Sequence, residues 1–424
     1  MAGDEKAALG FQQKVSSRNV ICWSDDHRLL LCTDGGIHIL DMLYSPHQLE
    51  STPQFQRQFI PQPQEPCNLT GLTLNKFLKL KDSLDYSELQ PVMLDRALCP
   101  FVISNCSYQV FKAACWSPLS ADVLGRCILS ALTYDHRLVL YSSGSSKNQW
   151  KQVAELSQLY YNQHEDKLDK KFTSYEKLKS SVYKLSAMEM AWSPLLKDDV
   201  DSHSKTYSIL AVGMKSGQLV LWKIRFPCLS EADCEITQTF TLSSSFFTSL
   251  SWYQTVDSSG TCYIVSGHHD GTIQMASINT KDGTVSDSWC LYSEADLMEV
   301  SCICVKSVSE NRLCVLGTKE TFIMSVLLEV IDKKLKICSV SHTTADNTLY
   351  ATGLCIKDDQ IYMSSIDSVV QKLQLHITNT DAKVRTTPVS IKFVPEASKW
   401  GCHGITLSKK WNFSCCFSML KKCR

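Results

Sequence analysis

Apolar residues alternate with polar ones through Met188, Met190 and Trp192, and the alternation breaks at Ser193-Pro194, which predicts a half-buried strand running into a turn. After a polar loop, Ser208-Ile209-Leu210-Ala211-Val212-Gly213 is a short unbroken apolar run that suits a strand covered on both faces. Lys215-Ser216-Gly217-Gln218 supplies a hairpin turn with a glycine available for positive φ, and Leu219-Val220-Leu221-Trp222 returns.

The unit recurs along the chain. Ala114-Cys115-Trp116-Ser117-Pro118 precedes a run ending at Leu132, a turn at Tyr134-Asp135-His136-Arg137 and the return Leu138-Val139-Leu140-Tyr141. Leu250-Ser251-Trp252 and Val20-Ile21-Cys22-Trp23-Ser24 open two more copies, and Trp-less copies open at Cys302, Gly353 and His403. Short antiparallel strands repeated at this spacing predict an all-β fold, a WD40-like β-propeller of about seven blades. Trp23, Trp116, Trp192 and Trp252 fall at equivalent places, which suits packing between blades better than an aromatic cage. The last copy stops short at the end of the sequence, so the final blade is expected to be incomplete and the chain a truncated form of a longer protein.

Residues 1–18 read as an N-terminal tail, 19–413 as the propeller and 414–424 as a divergent C-terminal tail. Two insertions interrupt the rhythm. Residues 44–94 are rich in Pro, Gln and Ser and are expected to contribute a mobile surface arm and a strand, the latter through the alternation of Leu72, Leu74, Phe77 and Leu80. Residues 157–184 scatter Leu and Tyr among charges and predict a charged helix on the rim. A solvated helix of mixed charge accounts for that pattern; the alternative is a protein-docking surface carried by Lys167, Lys170, Lys171, Tyr175, Lys177 and Lys179, with phosphate contact a third reading.

Composition narrows the functional classes. Forty-three basic residues balance forty-three acidic ones, so no global positive field favours autonomous nucleic-acid binding. No stretch approaches the roughly 20 apolar residues of a membrane span, and the start lacks a signal peptide's apolar run, which predicts an intracellular chain without a membrane partner. Twenty cysteines sit largely within predicted strands and read as buried reduced thiols.

Candidate chemistry is sparse. No phosphate-cradling glycine loop and no C-x-x-C pair occurs, and His268-His269-Asp270 falls on a predicted turn, so no catalytic, cofactor-binding or metal-ligating residue is assigned. The chain is expected not to be an enzyme.

The order Cys22-Trp23-Ser24-Asp25-Asp26-His27-Arg28, then Met93-Leu94-Asp95-Arg96, Trp116-Ser117-Pro118 and the block from Gly125-Arg126-Cys127 to Asp135-His136-Arg137-Leu138 resembles the amino-terminal region of the delta subunit family of transcription factor IIIC. Gln149-Trp150-Lys151-Gln152-Val153 and His403-Gly404-Ile405 extend the resemblance. It implies a nuclear protein-interaction scaffold in RNA polymerase III initiation at tRNA-type promoters. The partners implied are other TFIIIC subunits, TFIIIB and polymerase III components, with DNA reached indirectly through the complex. It also implies an association with histone acetyltransferase activity, under which acetyl-CoA would be the cofactor. The usual Q/R-x-x-G-x-G/A segment does not occur in the sequence, and the family's carboxy-terminal zinc-binding domain is expected to be missing from this chain.

Overall fold

The computed structural model describes residues 11–15, 17, 20–43, 54–69, 72–95, 97–99, 109–144, 149–167, 174–197, 206–254, 261–331, 334–345, 349–357, 360–367, 369–378, 381–389, 400–407 and 414–420. It is built from antiparallel meanders. In the third, Ala187–Trp192, Thr206–Met214, Gln218–Arg225 and Cys234–Thr241 pair in succession, and the short strand Leu196–Lys197 also pairs with Thr206–Met214. Leu210 stands opposite both Trp192 and Trp222, which fixes the register of the three inner strands. Sheets of the same four-strand order span residues 21–61, 111–155, 247–292, 300–344 and 351–389. Trp400–Leu407 pairs with Ser414–Leu420, so part of the segment expected to be a tail forms sheet.

The first strands of these sheets touch in chain order, and Trp400–Leu407 lies between Ala351–Lys357 and Ile21–Trp23, which closes the circle. The Trp23 amide donates to Thr406 Oγ1 across that closure at 3.3 Å. The core is distributed along the seams. One apolar cluster joins Leu31, Ile39 and Trp116 between the first and second sheets. Others join Ile209 to Ile264, Val265 to Val315, and Leu316 to Met363 between successive later pairs. The second to fifth sheets thus bury both faces against their neighbours, the logic of a repeat fold. Where the N-terminal segment is described it lies on the first sheet: Val15 bridges Thr33, and Lys14 and Asp34 exchange hydrogen bonds.

Both insertions depart from expectation. Residues 54–61 form the fourth strand of the first sheet, whereas the stretch around Leu72 to Leu80 is a helix, α1 (Leu74–Lys81), followed by α2 (Tyr86–Leu94). Alternation was the wrong period for it: Phe77 and Leu80 are buried three residues apart, a helical spacing. The second insertion is two helices, α3 (Leu156–His164) and α4 (Tyr175–Leu185), with a short 3-10 turn at Glu165–Lys167. Neither is solvated all round. Leu156 and Tyr160 of α3 enter the core shared by the second and third sheets.

Candidate functional site

The two insertions, far apart in sequence, share one small core. Phe77 and Leu80 of α1, Val92 of α2, and Leu98 and Cys99 beyond it pack with Leu178 and Val182 of α4. The helices contribute unequally, α2 through Val92 alone, α1 through Phe77 and Leu80, and α4 through Leu178, Ser181, Val182 and Leu185 on one face. Local sequence fixes the helix starts. Thr73 Oγ1 accepts the Lys76 amide at 3.4 Å, and the Glu88 carboxylate accepts the Asp85 amide at 3.3 Å.

A polar clamp ties this helical cap to the propeller. Asp95, just past α2, accepts from Lys215 Nζ at 2.6 Å, from the Tyr183 hydroxyl of α4 and from the Ala97 amide at 3.0 Å. Burial by itself raises the Asp95 carboxyl, but these donors outweigh it and hold the group below its ordinary value. Tyr183 moves the other way, raised by burial and by the carboxylate beside it. Lys215 belongs to the turn of the third sheet, and its ammonium also lies 4.8 Å from the Tyr183 ring centre. The Lys215 amide donates to Ser186 O and the Ser216 amide to Tyr183 O, so the end of α4 is fastened to that turn.

Beneath the cap, burial drives titratable groups toward their neutral forms. His136 is lowered to about 4, chiefly by burial, and its Nδ1 lies 2.8 Å from Ala187 O, so that nitrogen carries the proton. Lys112 is also lowered by burial and donates to Met188 O at 2.6 Å; the Glu189 carboxyl is raised by burial. These contacts join the second and third sheets. They position backbone and carry no assembled nucleophile and base.

The residues singled out from sequence are distributed unevenly. Tyr175 opens α4 half-buried against the small core; Lys177 is exposed; Lys179 lies 5.4 Å and 5.8 Å from the Tyr175 and Tyr183 ring centres. Lys167 ends the 3-10 turn, and Lys170 and Lys171 lie outside the described residues. What sequence reading missed is α1, α2 and Asp95. The signals were present in Thr73 before an apolar run and in the Asp85-x-x-Glu88 pattern.

The other candidate chemistry resolves into structure. His268 is fully buried, bonded through Nε2 to Ser266 at 2.9 Å and lowered to about 4 by burial, while Asp270 accepts the Thr272 amide and hydroxyl within the turn. Among the described residues no group of three or more His, Cys, Asp or Glu side chains is placed to hold a metal. Burial raises the Cys262 thiol to about 11 and those of Cys127, Cys314 and Cys355 to about 12, which keeps them protonated. Among the described residues no helix is long and apolar enough to cross a membrane.

Three of the Trp residues join neighbouring sheets through their indoles. Trp116 Nε1 donates to Cys22 O at 3.3 Å, Trp192 Nε1 to Ser130 Oγ at 2.9 Å and Trp252 Nε1 to Ala191 O at 2.9 Å, each reaching the preceding sheet.

Fold and site together define a mostly-β protein of the propeller class, elaborated by a helical cap drawn from two insertions. The chain belongs to the transcription factor IIIC subunit delta beta-propeller domain family, whose family model matches residues 23–401. It is similar to general transcription factor 3C polypeptide 4 of Homo sapiens, 23% identical over 452 residues that cover 96% of this chain and 53% of that protein. The Mus musculus protein of the same name is 23% identical over 441 residues with the same coverage. The chain therefore spans about half the length of these curated relatives. Among solved structures, a chain in the crystal structure of the mitotic checkpoint complex aligns over 98% of this chain and 93% of its own, with a TM-score of 0.49 and 9% identity. The fold assignment rests on the sheets and the family.

Proposed function

We propose that this chain is a non-catalytic scaffold module of the TFIIIC complex, acting in the nucleus in RNA polymerase III initiation at tRNA-type promoters. Its partners are other TFIIIC subunits and, through them, TFIIIB, the polymerase and DNA. The observation that carries the reading is the cap: two distant insertions converge on a shared core and a half-buried clamp, which holds a defined surface on the ring. We assign docking to this cap through the α4 stretch with Tyr175, Lys177 and Lys179, and to the preceding sequence positions Lys167, Lys170 and Lys171. In this scheme Lys177 faces the partner, whereas Tyr175 and Lys179 brace the surface from within.

The test is affinity capture of the tagged chain from nuclear extract, read by mass spectrometry, beside a Lys177→Glu variant. Recovery of other TFIIIC subunits, weakened by Lys177→Glu, is the expected outcome. A folded chain that recovers no TFIIIC subunit would overturn the reading.

A further inference from the structure

Two cysteines stand at the ends of one loop on the side of the ring away from the cap. Cys228 and Cys234 bracket the turn between Gln218–Arg225 and Cys234–Thr241, the third and fourth strands of the third sheet. They are 1% and 9% exposed, belong to the apolar cluster shared by the second and third sheets, and hold their thiols within hydrogen-bonding reach of one another. The chain between them is tied into a tight turn. The Asp233 carboxylate accepts the Leu229 amide at 2.9 Å and the Ser230 amide at 3.1 Å, and the Asp233 amide donates to Ser230 O at 3.1 Å. The Cys228 amide donates to Ala121 O at 2.9 Å, which fastens the loop to the second sheet. Leu229, Ser230, Glu231 and Ala232 between the two cysteines are exposed, so the pair lies at the edge of the core. Cys262 and Cys314, by contrast, stand within strands paired on both sides.

We propose that Cys228 and Cys234 are a thiol–disulfide couple that exchanges with small disulfides of the glutathione class and closes this loop covalently when its surroundings become oxidising. The device does not rest on the docking role of the cap. One cysteine thiolate attacks a sulfur of oxidised glutathione, the glutathione S–S bond breaks, and the departing thiolate takes up the proton that the cysteine gave off. The second cysteine, deprotonated in turn, attacks the protein sulfur of the mixed disulfide, and the second glutathione leaves as a thiol. Two protein thiols and one glutathione disulfide become one protein disulfide and two glutathione thiols. At rest the Cys234 thiol is raised by the Cys228 thiol beside it and by burial, so exchange is slow and waits for the loop to open. The equilibrium is set by how well the fold holds the two sulfurs together. Two thiols do not make a metal centre, and among the described residues no group of three or more His, Cys, Asp or Glu side chains is placed to hold one.

The experiment equilibrates the purified full chain, without air, in a series of reduced-to-oxidised glutathione ratios, once native and once unfolded in urea. Acid quenching, alkylation of free thiols and peptide mass spectrometry then read the Cys228–Cys234 link. The native chain is expected to form the link at a ratio at least roughly tenfold more reducing than the unfolded chain needs, and to lose it on return to reduced glutathione. Cys228→Ala should leave Cys234 as a lasting glutathione adduct, and Cys234→Ala should leave the mirror adduct on Cys228. The native-against-unfolded comparison uses the unaltered chain and decides the matter even where an alanine variant folds poorly. A native chain that needs conditions as oxidising as the unfolded one, or more so, would overturn the proposal. Glutathione adducts on both cysteines without a link, or a third cysteine linking ahead of this pair, would overturn it equally.

Discussion

The propeller ring and its cap are held by different amounts of the same material. In the ring, a strand such as Thr206–Met214 is buried along nearly its whole length, and each seam from the first sheet to the sixth has its own apolar cluster. In the cap, three short helices share a handful of side chains around Phe77 and Leu178, and much of their anchorage to the ring runs through Asp95, Lys215 and Tyr183. Short helices contribute little stability of their own, so the cap depends on that contact. The difference teaches that a repeat fold can carry a helical element with a much smaller core than its sheets, the kind of element expected to open before the ring does.

The sharpest way to break this contrast is to empty the small core. Phe77→Ala should cost about 3–5 kcal/mol locally, enough to unfold the cap while the ring stays folded. Hydrogen exchange should show lost protection in α1, α2 and α4 with the sheets unchanged. Leu210→Ala, in the ring, is expected to cost about 2–5 kcal/mol and to lower the global midpoint. If Phe77→Ala lowers the midpoint as Leu210→Ala does, the two regions are one cooperative unit.

Acid should invert the order of fragility. His38, His136 and His268 have pKa values lowered to about 4, each mainly by burial. The unfolded chain takes up their protons first, near pH 6.5, so the stability they confer is full above that pH and is lost as pH falls toward 4. The slope is at most about 1.4 kcal/mol per pH unit for each histidine. Asp95 has a lowered carboxyl, so its contribution is present above the ordinary carboxylate range and is lost only below it, as pH falls through its folded value. Between pH 6.5 and 4.5 the ring should therefore soften while the clamp holds. His268→Gln should flatten part of that decline in urea midpoints; an unchanged slope would show that His268 is not among the groups responsible.

Asp95→Asn probes the clamp alone. Removing the charge that Lys215 and Tyr183 face should cost about 1.5–3 kcal/mol, read as faster exchange in α2 and α4 at neutral pH. An effect confined to the sheets would mean that the cap is anchored elsewhere.

The same contrast explains what could be read from the chain. The inner strands were legible because apolar runs such as Ile209-Leu210-Ala211-Val212 recur between turns, and burial on both faces leaves that mark in every copy. The fourth strands were not. Cys234–Thr241 is buried at one end and half-exposed along most of the rest, so its residues carry no strong period. The cap was legible only in part: Thr73 and Asp85-x-x-Glu88 mark helix starts, but its core is assembled from residues about a hundred positions apart, and the local partners of Phe77, Leu72 and Leu80, do not announce Leu178. Lys177 and Lys179 stood out as charges, yet sequence could not separate the exposed Lys177 from Lys179 lying over two aromatic rings.

The finest test compares two seams within the ring. Trp252 gives its indole N–H to Ala191 O, while Trp23 Nε1, at the seam closed by Trp400–Leu407, is buried without a hydrogen-bond partner among the described residues. Trp252→Phe and Trp23→Phe remove the same ring volume, Trp23 from a buried site and Trp252 from a half-buried one, so packing alone would make Trp23→Phe the costlier change and the hydrogen bond opposes that order. Losing it leaves Ala191 O without its indole donor, and Trp252→Phe should be the costlier change by about 1 kcal/mol. Trp23→Phe removes a donor that was already unsatisfied, which offsets part of its cavity cost. Urea midpoints of the two variants decide the matter. Equal losses would mean that the first seam is as well bonded as the later one, whereas a milder Trp23→Phe would mark the closing seam as the place where the ring has least to lose.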